Sequence, residues 1–351
     1  MSRPLVALRC DAGRDTGLGH LLRCIALAEA LQGGGCDVVL LGSVGDVPLA
    51  ERLLAQRQIP VHPAPEGPLP PLLDALGAVA LVVDSYDVPP TVNAEVRASG
   101  RLVVAIVDAA APDLDADLLV NPNYGAEAAM ASPHQGAVLA GVPYALLRSS
   151  VTHRRPPAPP GVPVVARRVL VVLGGTDVLM VAATATEQLL ATGLPLEIDV
   201  VCSTPEILAR VDGLPRGEGQ RVSALLPVED LAGLAAGADL VLSAAGTTVW
   251  ELACLGRPMA LVTVADNQLP GYEAVVSAGL AMGLGPAAGL GATPEATALL
   301  LELMKDAPRR RRLAGAGHAL VDGLGRDRVA AAVRTMLREG SVGRVVEQET
   351  S

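Results

Sequence analysis

Residues 5–35 read LVALRCDAGRDTGLGHLLRCIALAEALQGGG. The run Leu5–Cys10 is apolar enough for a strand covered on both faces, and it gives way to Asp11 and a glycine-containing loop. Apolar residues at helical spacing follow over Leu21–Gln32 and stop at Gly33-Gly34-Gly35, a strong helix terminator. Strand, glycine loop and helix in that order open a β-α-β series, so a largely parallel sheet is predicted.

The same texture continues outward. Val38–Leu41, Ala80–Val83, Leu102–Val107 and Leu118–Val120 read as further strands. Residues 154–163, RRPPAPPGVP, then place five prolines in ten positions, which predicts a semi-rigid extended linker. Behind it a second series begins: strands Val169–Leu173, Glu197–Val201, Leu240–Leu242 and Met259–Val262, with helices over Val181–Ala191 and Thr248–Leu255. The expected division is a Rossmann-like domain over 1–148, a linker over 149–167 and a nucleotide-binding Rossmann-like domain over 168–325. A final helix near Asp327–Arg338 is expected to cross back onto the first domain, with a frayed tail from Val342. The fold class is therefore α/β, two Rossmann-like domains whose parallel sheets face across a cleft, with ligand at the strand C-termini.

Composition narrows the partners. The chain has 351 residues, half of them apolar, yet no Phe, one Trp and four Tyr. Stacking platforms for single-stranded nucleic acid are therefore scarce, and a net charge of −10 opposes a DNA or RNA partner. No uncharged apolar run approaches the ~20 residues that span a bilayer, and Met1–Leu8 does not make a signal peptide. Five widely spaced cysteines without a Cys-x-x-Cys pair read as reduced thiols of a cytoplasmic protein, with no zinc signature. No metal or other cofactor is expected. The expected partner is a small molecule, and oligomeric state is left open.

Three segments carry chemistry. In the first, Gly17 and Gly19 allow close approach of a ligand to the backbone, and the helix start favours a negative group. His20 falls in the first helical turn, where an imidazole suits a general base; Asp11 behind the loop is a candidate to orient it, and Arg23 lies one turn on. The full G-x-G-x-x-G fingerprint is absent, because Leu22 stands at its last position. In the second, Gly174 and Gly175 close the strand Val169–Leu173, as an ordinary tight turn or as a passage for a diphosphate. In the third, Gly246-Thr247-Thr248 feed a helix and offer amides and hydroxyls to phosphate, with Glu251 placed to take ribose hydroxyls. The plain alternative there is Thr capping, with Glu251 completing a capping box. Asn267 and Gln268 follow the next strand as sugar or phosphate contacts. Asp84-Ser85-Tyr86 and Asn121-Pro122-Asn123-Tyr124 are weaker candidates at strand ends, while His62, His134, His153 and His318 read as surface or structural.

In combination these residues resemble the UDP-sugar hydrolases of pseudaminic acid synthesis and their spore-coat-polysaccharide relatives, the PseG/SpsG group. The resemblance rests on R-x-D…G-x-G-H-x-x-R-C-x-x-L-A at 9–28, D-S-Y at 84–86, P-Y-A-L-L-R at 143–148, L-G-G-T-D at 173–177, A-A-G-T-T-x-W-E-L-A-C-L-G-x-P at 244–258 and D-N-Q at 266–268. It implies a GT-B-like fold and hydrolysis of a UDP-activated diacetamido-trideoxyhexose to UDP and free sugar. His20 would activate a water that attacks the anomeric carbon with inversion. It also implies that Thr247, Thr248 and Glu251 hold the nucleotide and Asn267 the sugar; Tyr86 and Gln268, in the D-S-Y and D-N-Q motifs, are further substrate-binding candidates. Ala109 stands where that family often has a second Asp, and Val178-Leu179-Met180 replaces a more polar stretch. A glycosyltransferase of the same fold is the alternative, since the lipid-linked N-acetylglucosamine transferases of peptidoglycan synthesis share a Gly-rich loop ending in His. A third reading, a non-catalytic nucleotide-sugar binder, leaves His20 without a purpose.

Overall fold

In a computed structural model, residues 3–13, 18–45, 47–111, 113–132, 134–174, 180–291 and 294–349 are described, with side chains through 340. The chain forms two compact units, Met1–Ser149 with Leu324–Ser351, and Ser150–Gly323.

The first unit is built on seven parallel strands: β1 (Leu5–Arg9), β2 (Asp37–Leu41), β3 (Val61–His62), β4 (Ala78–Val83), β5 (Leu102–Ile106), β6 (Leu118–Asn121) and β7 (Ala137–Ala140). Their order across the sheet is β3-β2-β1-β4-β5-β6-β7, all neighbours parallel. The chain thus winds from the centre to one edge, returns beside β1, and winds to the other edge. Alternate residues of each central strand enter different cores. Val6, Leu8, Val38, Leu40, Ala80 and Val82 join the helix Gly19–Gly33 on one face; Ala7, Val39, Leu41, Leu81 and Val83 pack on the other. That two-faced burial is why these strands are continuous apolar runs.

The last helix, Gly325–Glu349, belongs to this unit. Val329, Ala330 and Val333 fill the same core as the helix Gly19–Gly33. Arg326 ion-pairs with Glu29 at 2.5 Å, and Glu29 also accepts from Arg57 Nε and from the Ser149 amide, each at 2.6 Å. Burial alone would raise the Glu29 pKa, but the Ser149 amide and Arg57 outweigh it and hold the carboxyl low. The helix also runs to Glu349, past the expected start of fraying at Val342.

The second unit has six parallel strands: β8 (Arg168–Val172), β9 (Glu197–Val201), β10 (Arg221–Leu225), β11 (Leu240–Ala244), β12 (Met259–Thr263) and β13 (Met282–Pro286), in the order β10-β9-β8-β11-β12-β13. The proline-rich segment read as a linker is instead strapped along this unit. Arg155 donates to the carbonyls of Val321 and His318 at 3.0 and 2.9 Å, and His318 Nε2 meets the carbonyl of Pro156 at 2.8 Å. Arg310, fully buried, donates to the carbonyls of Leu303 (2.6 Å), Met304, Pro163 and Val164 (3.3 Å). Proline has no amide to hold it in place, so side chains bonding to its free carbonyls do so. All five cysteines are buried and none forms a disulfide. Among the described residues, no helix is long and apolar enough to cross a membrane.

Replacing Arg310 by Met orphans these carbonyls and is expected to lower stability by about 3 kcal/mol, measured by urea denaturation. Val333→Ala removes two methyl groups from the core of the first unit and is expected to cost about 2 kcal/mol in the same measurement.

Candidate active site

Both sheets have one place where neighbouring strands lead in opposite directions around the sheet: β1/β4 in the first unit and β8/β11 in the second. At the C-terminal ends of such strands the loops diverge and leave a crevice. The chemistry-bearing residues gather at these two places.

In the first unit the helix Gly19–Gly33 follows β1 and carries His20 and Arg23 one turn apart on one face. Asp84 directly follows β4 and is fully buried. His20 Nδ1 lies 2.6 Å from Asp84 Oδ1. Arg23 donates to the same carboxylate through Nη2 (2.6 Å) and Nε (3.0 Å). On its other side Arg23 meets Asp108, two residues beyond β5, through Nη1 at 2.5 Å and Nη2 at 3.2 Å. Asp108 also accepts from Asn123 Nδ2 at 2.9 Å and from the Tyr86 hydroxyl. The Tyr86 ring stands edge-on to the His20 ring, centroids 4.7 Å apart.

The charges follow from this geometry. Burial opposes a charge on Arg23, but Asp84 and Asp108 more than offset it, so its guanidinium is held above its ordinary pKa. Burial would raise the Asp108 pKa, yet Arg23, with the Tyr86 and Asn123 hydrogen bonds, keeps it well below the usual carboxylate range. Although the Tyr86 side chain is largely exposed, desolvation of its hydroxyl against Asp108 first, and the Asp108 charge second, push the phenol up, so it remains a donor. Among the described residues His20 Nε2 has no partner. An imidazole anchored at Nδ1 with an open Nε2 is the arrangement of a general base.

Two expectations are corrected here. Asp11 does not orient His20. It accepts from Arg9 Nη1 at 2.6 Å and from the Ser43 amide at 2.9 Å, because Arg9 and Asp11 stand two residues apart and project to the same side of the chain. Asp84 takes that role. Arg23, expected among the substrate ligands, is only 5% exposed, and its donors are directed to Asp84 and Asp108. Asp108 was not among the candidate site residues; its signals were its place behind an apolar run and, just before Ala109, in the pattern of the resembled family, whereas Asp84, Tyr86 and Asn123 lay in the two weaker candidate segments. Gly19 begins the helix, and Gly17 lies outside the described residues.

In the second unit Gly174 follows β8 with φ of +87°, a backbone conformation that favours glycine; Gly175, Thr176 and Asp177 lie outside the described residues. Gly246-Thr247-Thr248 follow β11 and are half-buried. The amides of Val249 and Trp250 bond back to the carbonyls of Gly246 and Thr247. Those of Gly246, Thr247 and Thr248 have no partner among the described residues. The Thr247 side chain makes no capping bond, so the capping box is not formed, and Glu251 is buried. Gln268 Oε1 accepts from the Val264 amide at 3.0 Å, which directs its amide group toward Gly246; Asn267 is exposed. Among the described residues no group of three or more His, Cys, Asp or Glu side chains is placed to hold a metal ion.

No protein-family model matches this chain, and no curated protein matches it. Solved structures do. MurG from Acinetobacter baumannii is 18% identical with a TM-score of 0.65, covering 95% of this chain and 99% of its own. The S. aureus MnaA–UDP co-structure is 12% identical with a TM-score of 0.64, covering 95% and 97%. Spinosyn rhamnosyltransferase SpnG complexed with thymidine diphosphate is 18% identical with a TM-score of 0.62, covering 95% and 99%. At these identities the likeness is one of fold: the chain has the twin-Rossmann, GT-B-type architecture of these proteins.

Proposed function

We propose that this chain is a glycosyltransferase that uses a nucleoside-diphosphate sugar, UDP-linked in the first instance, with His20 as its base. The observation that carries the reading is His20, fixed at Nδ1 by buried Asp84 and open at Nε2, at the strand-order reversal of the first sheet. Nε2 takes the proton of an acceptor hydroxyl as its oxygen attacks the anomeric carbon. The bond from that carbon to the diphosphate oxygen breaks, the diphosphate leaves with the electron pair, and the configuration inverts.

A diphosphate is already a good leaving group, so its departure calls for charge stabilisation more than for an acid. The three unpartnered amides of Gly246, Thr247 and Thr248 suit that purpose, as does the Cβ-free approach at Gly174. UDP in MnaA and thymidine diphosphate in the rhamnosyltransferase SpnG support a nucleoside diphosphate as the ligand class. Glu251, Asn267 and Gln268 are assigned to the nucleotide and sugar on the motifs at 244–258 and 266–268 that resemble the PseG/SpsG group. With water as the acceptor the same atoms perform hydrolysis, a reading favoured by the motifs shared with the pseudaminic acid UDP-sugar hydrolases.

Incubation with UDP- and dTDP-sugars, with and without alcohol acceptors, followed by NMR of the products, tests both. Transfer predicts nucleotide release only when an acceptor is present; release with free inverted sugar in its absence assigns hydrolysis. His20→Ala is expected to lower turnover about 100-fold or more with nucleotide binding retained. A near-wild-type rate removes His20 from the chemistry.

A further inference from the structure

His20 Nδ1 has two neighbours that make opposite demands. Asp84 Oδ1 at 2.6 Å requires a proton on Nδ1, whereas Arg23 Nη2 at 3.0 Å is itself a donor. The shorter contact and the charge of the carboxylate decide the matter. Nδ1–H and Arg23 Nη2 both donate to Asp84 Oδ1, and their proximity follows from sharing it.

That sharing is hazardous for a base. A guanidinium facing a single carboxylate forms a two-bond fork with both oxygens, and Arg23 does so with Asp84 through Nε and Nη2. Left alone, the fork would satisfy Asp84 and weaken its hold on the imidazole. Asp108 prevents this. It takes Nη1 at 2.5 Å and shares Nη2 at 3.2 Å, so one positive charge is divided between two carboxylates and the trio keeps a net charge of −1 beside the ring.

Asp108 also reaches His20 by a second route. It accepts from the Tyr86 hydroxyl, and the Tyr86 ring stands edge-on against the imidazole. The five side chains close a circuit, His20–Asp84–Arg23–Asp108–Tyr86 and back to His20, drawn from one helix and the ends of two strands.

We propose that Asp108, acting through Arg23 and Tyr86, is a positioning residue that holds His20 as its Nδ1–H tautomer with Nε2 free. The base role of that Nε2 rests on the function proposed above; the tautomer does not, and it is measured separately.

The experiment is long-range 1H–15N correlation NMR on the full-length protein with 15N-labelled histidine, at about pH 8 where an ordinary imidazole is neutral. The His20 signals are assigned by their absence in His20→Gln. Wild type is expected to show a single Nδ1–H form. Asp108→Asn keeps the shape of the side chain and removes its charge. It is expected to give a mixture of tautomers, with the Nδ1–H proton shifted upfield, and kcat reduced about tenfold at little-changed KM. Tyr86→Phe removes one hydroxyl from an exposed side chain and is expected to shift the same resonances in the same direction. An Asp108→Asn spectrum like wild type overturns the proposal, as does a wild-type His20 protonated at Nε2. If Asp108→Asn does not fold, Tyr86→Phe decides alone, and an unshifted spectrum overturns it. Shifted tautomers in a protein that turns over no nucleotide sugar leave the positioning role standing and remove the proposed function.

Discussion

A buried guanidinium organises the first unit. Arg23 cannot leave water without compensation, because an unpaired charge in the interior costs several kcal/mol. Its compensation comes from the ends of two different strands, Asp84 behind β4 and Asp108 behind β5, and the helix that follows β1 brings Arg23 to them. The three pieces meet only when β1, β4 and β5 lie side by side. The ion pairs therefore add geometric definition more than net stability, since desolvation consumes much of the Coulombic gain. His20 inherits that definition one helical turn away.

The second unit buries an arginine by other means. Among the described residues Arg310 hydrogen-bonds to carbonyl oxygens and to no carboxylate, and two of these, Pro163 and Val164, lie at the end of the proline-rich segment and just behind it. Burial accordingly lowers its pKa, with Asp239 and Asp306 acting in the opposite sense, whereas the paired carboxylates raise that of Arg23. One arginine fixes a reactive group. The other fastens a strap that has few backbone donors of its own.

The polar chemistry of the chain is concentrated where the sheets reverse their strand order. Elsewhere the central strands are mostly Val, Leu and Ala, and in a chain with so few aromatic side chains Tyr86 is exposed. Backbone amides freed by Gly246-Thr247-Thr248 and an imidazole freed at one nitrogen are the two resources the fold exposes at these positions. Neither depends on a large interior cavity. Both depend on strands whose ends are held rigidly by burial on two faces.

The strands legible in the sequence are β1, β2, β4, β5, β6, β8, β9, β11 and β12, the interior strands of their sheets. The four that were not, β3, β7, β10 and β13, are the edges. The physical reason is burial: Ala78–Val83 is covered on both faces and must be apolar at every position, whereas Arg221–Leu225 is half-exposed and free of that requirement. The same reasoning divides the candidate site. Glycine loops and His20 are local features that a strand–loop–helix pattern announces. Asp108, by contrast, is one carboxylate among many until β5 is laid beside β4, and Asp11 is the nearer partner of His20 in sequence but not in space. Local patterning thus determined the fold class and the positions of the loops, while strand order, a non-local property, decided which charges meet.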